Sequence, residues 1–181
     1  WENMPEPRYQ NEDVQCEYVK VEALDDGAPQ KDIVAASKRG RSHAQEAKPR
    51  DDHFKMAHLE NGWYIMAVAD GAGSAKYSRE GSRIACETVI KHCEEELAKC
   101  QSFEDNINLW HLDQGSVEAG KLISADIYRI VGNAALKAHR AINEEAKLQQ
   151  IPSKAYATTL LLAICKKFDF GWFVASFWVG D

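Results

Sequence analysis

The chain has 181 residues, of which 45% are hydrophobic and 28% charged, a balance typical of one globular domain with a tail. A formal net charge of −6 argues against nucleic acid or an anionic membrane as the main partner, because no basic field attracts phosphate groups. No apolar run approaches the roughly 20 residues of a membrane span, and the acidic N-terminus is unlike a secretory signal. We therefore expect neither a nucleic-acid nor a membrane partner.

Residues 1–31 differ in composition from the rest of the chain. They hold three of the five prolines, Pro5, Pro7 and Pro29, among many acidic residues, and this predicts a linker or appendage. The segment suits a tether to a partner such as a cognate kinase, and it suits an inert linker equally well. The chain begins at Trp1, which indicates a piece of a longer sequence, and the domain itself is predicted over 32–181.

Three β-strands are predicted in the first half of the domain. They are, in chain order, 32–38, 50–56 and 63–69, with a polar loop over 39–49 between the first two. The pair Asn61-Gly62 is a strong hairpin signal that joins the second strand to the third. Asp52 and Asp70 belong to these two strands, so the hairpin can bring both carboxylates to one end.

Two long helices and a second hairpin are predicted to follow. Ser78 is a candidate cap for a helix that runs to Cys100, along which apolar residues recur at helical spacing. A second helix is expected over 116–149 with Gly132 as a candidate kink, and the connection 101–116 is predicted to be irregular. The remaining strands are predicted at 158–165 and 172–179. Hairpins on either side of a helical pair favour an α+β fold, with helices on one face of an antiparallel sheet.

The five cysteines are Cys16, Cys86, Cys93, Cys100 and Cys165. An odd count without a signal peptide favours reduced thiols, and therefore a cytoplasmic protein. Three of them recur every seven residues, from Cys86 to Cys100, which predicts small apolar side chains along a buried helical face. A metal site is the alternative, although zinc ligands usually come in closer pairs.

The run 68–74, Val-Ala-Asp-Gly-Ala-Gly-Ser, is the most informative stretch of the chain. Its Asp70 follows a buried strand, where a carboxylate is costly unless a metal ion or another group pairs with it. Two or three convergent carboxylates are typical of a Mg²⁺ or Mn²⁺ site, and Asp52 is the candidate partner. On these residues alone a solvated turn and a metal site both remain open, because Asp-Gly is also a common turn signal.

Six segments, taken together and in order, resemble the PPM (PP2C-type) metal-dependent protein phosphatases. They are Gly40-Arg41-Ser42-His43, Lys48-Pro49-Arg50-Asp51-Asp52, the run 68–74, Ser78-Arg79-Glu80-Gly81-Ser82, Ala157-Thr158-Thr159-Leu160 and Val179-Gly180-Asp181. The closest likeness is to a small bacterial branch that carries Gly-x-Ser-His and Asp-Gly-Ala-Gly-Ser segments. Any one segment is a weak signal, but six in order with compatible spacing are specific, and they cover 32–181.

The resemblance implies a fold, a metal centre and a reaction. Members fold as a β-sandwich of two antiparallel sheets with helices packed outside, and they hold two Mn²⁺ or Mg²⁺ ions at one end. By this resemblance Asp70 bridges both ions, the Gly71 carbonyl binds one, and Asp52 contacts metal partly through water. Asp181 matches an aspartate that holds a further, weaker ion. The implied reaction is hydrolysis of phosphoserine or phosphothreonine in a phosphoprotein, by a metal-activated water and without a phosphoenzyme.

The chain departs from the family pattern in its phosphate-binding residue. Most members carry an arginine five residues before the first metal aspartate, and here this position is Ala47. Arg41, His43 and Arg50 are the available substitutes, since a cationic donor stabilises phosphate charge. We favour His43 as the catalytic substitute, with a locally hydrogen-bonded loop histidine as the alternative.

Two neighbours of Asp52 are given no metal role. Asp51 stands where the family often has an amide or a glutamate, and His53 is predicted to be solvated.

The family completes its metal pair with two aspartates from later Asp-Gly and Asp-Asn segments, and the 181 residues contain neither segment. We expect the N-terminal portion of a longer phosphatase or a truncated form, with weak or absent hydrolysis if nothing follows. An exposed apolar strand over 172–179 would then favour self-association. The alternative function is an inactive PP2C-like module that binds phosphoprotein or another partner; Ala47 favours the module, whereas intact Asp52, Asp70 and Gly71 favour the enzyme. An α+β interaction domain without metal is a third reading.

Overall fold

A computed structural model describes residues 14–22, 30–113 and 116–180 and contains two antiparallel sheets with several helices. The strands are β1 (Val14–Val19), β2 (Ile33–Lys38), β3 (His53–His58), β4 (Trp63–Ala69), β5 (Leu160–Phe168) and β6 (Gly171–Val179). The α-helices are α1 (Arg41–Gln45), α2 (Ser78–Leu97), α3 (Gln101–Leu112), α4 (Val117–Ile127) and α5 (Asn133–Leu148). A π-helical segment, Tyr128–Gly132, joins α4 to α5, and a 3-10 turn, Ser153–Tyr156, precedes β5.

The larger sheet has the order β3-β4-β5-β6, with every neighbouring pair antiparallel. Two hairpins build it, as predicted. The turn between β3 and β4 contains Gly62 at φ 87°, a conformation that glycine adopts at little cost. Alternate residues of each strand then face the helices, because side chains alternate across a sheet.

The main core lies between one face of this sheet and the helices. Trp63, Ile65, Leu162 and Ile164 of the sheet are fully buried in one cluster with apolar side chains of the helices. Val89 of α2 belongs to the same cluster. Burial of this face fixes which side of each strand points inward, and with it the strand register.

The smaller sheet pairs β1 with β2 and packs over the other side of β3 and β4. Its Ile33 lies in a second buried cluster with Phe54, Met56 and Tyr64 of the larger sheet. Strand β1 falls inside the segment 1–31 that the composition indicates as a linker, although most of that segment lies outside the described residues. Two antiparallel sheets with several helices are compatible with the expected PP2C-like fold; the complete sandwich stays a prediction.

The connection 101–116 is not irregular throughout, and this prediction was wrong. Helix α3 occupies Gln101–Leu112, and it buries only Phe103 and Ile107, which are one turn apart. Two buried positions in twelve residues leave a faint helical pattern, which is why periodicity did not reveal it. The predicted loop 39–49 likewise contains the short helix α1.

Three smaller expectations about the helices can be compared with the structure. Helix α2 starts at Ser78 itself, and its capping position is Tyr77 without a side-chain cap. The predicted second helix is continuous, but the candidate kink at Gly132 is the end of the π-helical segment. Cys86, Cys93 and Cys100 are buried, as the apolar interpretation predicts.

Within the described ranges, no helix has both the length and the apolar composition needed to cross a membrane.

Candidate metal centre

The β3-β4 hairpin brings Asp52 and Asp70 together. In its register His53 pairs with Ala69, so the residues just beyond that pair, Asp52 and Asp70, lie opposite each other. The two side chains are within hydrogen-bonding distance, and both residues are exposed to solvent. The hairpin length alone therefore sets two carboxylates side by side at one end of the larger sheet.

The loop that carries Asp70 is held in place by the residues before β5. The Asp70 carbonyl accepts hydrogen bonds from Thr159 N at 2.8 Å and from Thr158 Oγ1 at 3.0 Å. Asp70 N donates to Thr159 Oγ1 at 2.9 Å, and Ala72 N donates to the Ala157 carbonyl at 3.0 Å. Four hydrogen bonds thus fix the backbone at Asp70, which leaves its carboxylate free to face solvent.

Gly71 is required by close packing at this point. A Cβ on Gly71 would lie 2.8 Å from the Asp51 carbonyl oxygen and 2.8 Å from Ser78 Cβ, nearer than real Cβ contacts come. The glycine therefore lets the Asp70 loop pack directly against both the Asp51 backbone and the first turn of α2.

Desolvation of the Asp52 carboxyl contributes most to the electrostatics of the pair, and the adjacent Asp70 adds to it. Partial burial of Asp52, the hydrogen bond to Asp70 and the charge of Asp70 raise the pKa of the Asp52 carboxyl, and Arg50 opposes this shift. Two adjacent carboxylates favour either a shared proton or a bound cation. An all-oxygen donor set of this kind fits a hard divalent cation such as Mg²⁺ or Mn²⁺.

His43 lies beside Asp51, the residue before Asp52. Its Nε2 is 3.7 Å from Asp51 Oδ2, its Nδ1 is 3.0 Å from the Pro49 carbonyl, and the side chain is 32% exposed. Both neighbours present oxygen atoms that accept hydrogen bonds. The imidazole is therefore oriented from one side and remains accessible from solvent.

The other residues considered for the phosphate are less suitably placed. Arg50 is only 2% exposed and donates to Gln15 Oε1 at 3.1 Å, so its guanidinium faces the smaller sheet. Arg41 is exposed at the start of α1. Ala47 adopts φ 55°, in the left-handed region that residues other than glycine seldom occupy.

The prediction that His53 is solvated was wrong. His53 is buried, its Nδ1 lies 2.8 Å from Arg79 Nη1, and burial together with the charge of Arg79 lowers its pKa to about 3. In the sequence the apolar Phe54 and Met56 alternate with His53 and Lys55, which favours an outward position for His53; its burial comes instead from the packing of α2 against this end of β3. The buried, neutral imidazole of His53 therefore accepts a hydrogen bond from Arg79 and carries no charge.

Asp181 lies outside the described residues. Within residues 14–22, 30–113 and 116–180, no group of three or more His, Cys, Asp or Glu side chains is arranged to hold a metal ion. The described part of the candidate site thus brings together two carboxylates, which are oxygen donors of the type that hard divalent cations prefer.

The structural role of Thr158 and Thr159 was missed, although both were quoted as part of a motif. The sequence signal for this role is two adjacent hydroxyl residues in front of a strand. Threonine is common at such positions simply because β-branched residues favour strands, so the signal is weak. Ser82 and Arg79 were missed in the same way. Their contacts with residues 51–53, described below, join positions about thirty apart in the chain.

The candidate site lies within a region that matches a known protein family. A family model described as protein phosphatase 2C matches residues 39–181, about four-fifths of the chain, and the match includes the carboxylate pair and the threonines that hold it. No curated protein shows significant similarity to the chain. Since the matched region is well over half of its length, the chain belongs to the protein phosphatase 2C family.

Proposed function

We propose that this domain is a metal-dependent phosphatase of serine- and threonine-phosphorylated proteins. The observation that carries the proposal is the contact between Asp52 and Asp70 within the matched region. A binding module without metal has no reason to keep two repelling carboxylates in contact at the end of a hairpin.

Each site residue has a distinct role in the proposal. Asp52, Asp70 and the Gly71 carbonyl hold the ions, with Asp181 as a further ligand. When bound, two Mn²⁺ or Mg²⁺ ions neutralise phosphate charge and lower the pKa of a bound water. The Thr158 and Thr159 hydrogen bonds keep the Asp70 backbone fixed, so that little reorganisation accompanies metal binding.

His43 is proposed to contact the phosphate of the substrate in place of the missing arginine at position 47. Its Nδ1 is held by the Pro49 carbonyl, and its Nε2 lies beside Asp51, the residue next to Asp52. Loss of one such donor costs about 10²-fold in kcat in other hydrolases. We therefore expect His43→Ala to lose about 10²-fold in kcat and His43→Arg to recover part of that loss, because arginine restores the charge.

The proposal is tested by hydrolysis of p-nitrophenyl phosphate and of a phosphothreonine peptide with added Mn²⁺, using the whole encoded protein. Asp70→Asn removes the central carboxylate, and Asp169→Asn, in the exposed turn between β5 and β6, is the matched control. Mn²⁺-dependent hydrolysis in the wild type and the control, and none in Asp70→Asn, is the expected result. Isothermal titration with Mn²⁺ provides a second measurement that does not depend on turnover.

The outcomes separate the enzyme from the alternative. Folded wild-type protein that hydrolyses neither compound at saturating Mn²⁺ would exclude the phosphatase. In that case the inactive phosphoprotein-binding module becomes the better proposal, and Ala47 is the first residue to restore to arginine.

A further inference from the structure

Side chains on one face of helix α2 contact residues on either side of Asp52. Ser82 Oγ is 2.5 Å from the Asp51 carbonyl oxygen, and Cys86 Sγ is 3.4 Å from the His53 carbonyl oxygen. Arg79, one turn before Ser82, contacts the His53 ring. All three side chains are buried, at 4% exposure or less, so solvent does not compete for these contacts.

The Asp51 carbonyl is the point at which this helix and both carboxylate loops meet. Ser82 approaches it from α2, and Gly71 packs against it so closely that a Cβ would lie 2.8 Å away. Ser82 does not contact Asp52 or Asp70 through its hydroxyl hydrogen bond. It acts on Asp52 through the Asp51 backbone, against which the Asp70 loop also packs.

Two ionised carboxylates in contact push their loops apart unless they share a proton or bind a cation, so the loops need restraints that oppose this force. On the Asp70 side, the threonines before β5 do so. On the Asp52 side, the short hydrogen bond from Ser82, in the second turn of the 20-residue helix α2, is the matching restraint.

We infer that Ser82 is a positioning residue for the metal centre, which fixes the spacing of Asp52 and Asp70 through the Asp51 carbonyl. The inference rests on the proposed function, since it assigns Ser82 a role only towards a cation held by that pair. Groups that orient metal ligands typically change metal affinity by 10- to 100-fold when removed. Loss of the Ser82 hydroxyl therefore weakens metal binding while every ligand remains present.

The test is Mn²⁺ titration of Ser82→Ala by calorimetry, together with the Mn²⁺ concentration that gives half-maximal hydrolysis. Ser78→Ala is the control, because Ser78 lies one turn earlier in α2, is equally buried, and keeps as alanine the Cβ that faces Gly71. We expect the Kd for Mn²⁺ to rise about 10-fold in Ser82→Ala and to stay within about twofold in the control. Hydrolysis at saturating Mn²⁺ should fall much less than affinity, which distinguishes misplaced ligands from general unfolding.

Failure of the inference and failure of the proposed function give different results. Wild-type protein that binds Mn²⁺ with the same affinity as Ser82→Ala overturns the positioning role alone. Wild-type protein that binds no Mn²⁺ overturns both. Should Ser82→Ala not fold, Ser82→Cys replaces the hydroxyl by a weaker donor of similar shape, and an unchanged Kd in that variant also refutes the inference.

Discussion

Replacement of Gly81 by alanine has two opposing effects on stability: it favours the helical conformation, and it introduces a clash with a neighbouring segment. Gly81 lies in the second turn of α2, where alanine alone would favour the helix by about 1 kcal/mol. A Cβ at this position, however, would lie 2.0 Å from the Tyr156 carbonyl oxygen and 2.8 Å from its carbonyl carbon. Backbone atoms cannot swing aside as a flexible side chain can, so the helix and the 3-10 turn must separate.

The magnitude follows from these two opposing effects. Overpacking a tight interior site typically costs 1–3 kcal/mol, and a clash with a backbone carbonyl belongs at about 3 kcal/mol. After the propensity gain, Gly81→Ala should lower the free energy of unfolding by about 2 kcal/mol. Gly120→Ala in α4 is the matched control, because a Cβ there meets only the Trp110 side chain at an ordinary 3.7 Å. The control should be more stable than wild type, by about 0.5–1 kcal/mol.

The assay is urea unfolding followed by circular dichroism and by the fluorescence of tryptophan, including Trp63, which is fully buried. Displacement of Tyr156 should also reach the metal centre, since Thr158 follows it by two residues and holds Asp70. Mn²⁺ affinity is therefore expected to fall in Gly81→Ala but not in Gly120→Ala. Equal stabilities of the two variants, or a Gly81→Ala protein more stable than wild type, would refute the packing argument.

Two further predictions concern pH and association. Burial lowers the pKa of His92, whose Nδ1 lies 2.8 Å from Lys137 Nζ and whose Nε2 lies 3.2 Å from the Arg129 carbonyl, so the folded state holds the ring neutral. The unfolded chain binds the proton more readily, so this contribution to stability is present above about pH 6.5 and is lost as the pH falls below it. His92→Gln should consequently lose less unfolding free energy than wild type between pH 7.5 and pH 5, as measured by urea titration at each pH; parallel losses would contradict the assignment. Strand β6 contains no charge or proline, and its Trp178 is 70% exposed on the outer face of the sheet, which is typical of a strand prone to association. The 181-residue chain should therefore self-associate as its concentration rises, and sedimentation velocity should show less association for Trp178→Lys; identical profiles would show that this face is not the contact.

Much of the hairpin and its carboxylate pair could be predicted from the sequence because they depend on local rules. The Asn61-Gly62 turn and the alternation on either side of it determine which residues of β3 and β4 lie opposite each other. Asp52 and Asp70 then follow as neighbours without any knowledge of the rest of the fold.

The groups that hold the pair in place could not be predicted in this way. Thr158 and Asp70 are 88 residues apart, and Ser82 and Asp51 are 31 apart, so neither contact produces a local pattern. Both join a side-chain hydroxyl to a backbone carbonyl, and any residue supplies such a carbonyl. Only the packing of α2 and β5 against the hairpin decides which carbonyl each hydroxyl meets.

The structure therefore distinguishes two groups of residues that occur together in the sequence motifs: those that could bind a metal ion and those that hold the binding residues in place. In the proposed metal centre the carboxylates would supply the ligands, and their proximity makes the pair costly to ionise without a cation. Gly71, Ser82 and the two threonines supply no ligand side chain, yet their contacts restrain the two loops that carry Asp52 and Asp70. Affinity for the ion depends on both, because a cation gains its full binding energy only where the ligands need not be moved into place. Each single variant of a restraining residue should thus weaken metal binding only in part, whereas variants of the carboxylates should abolish it.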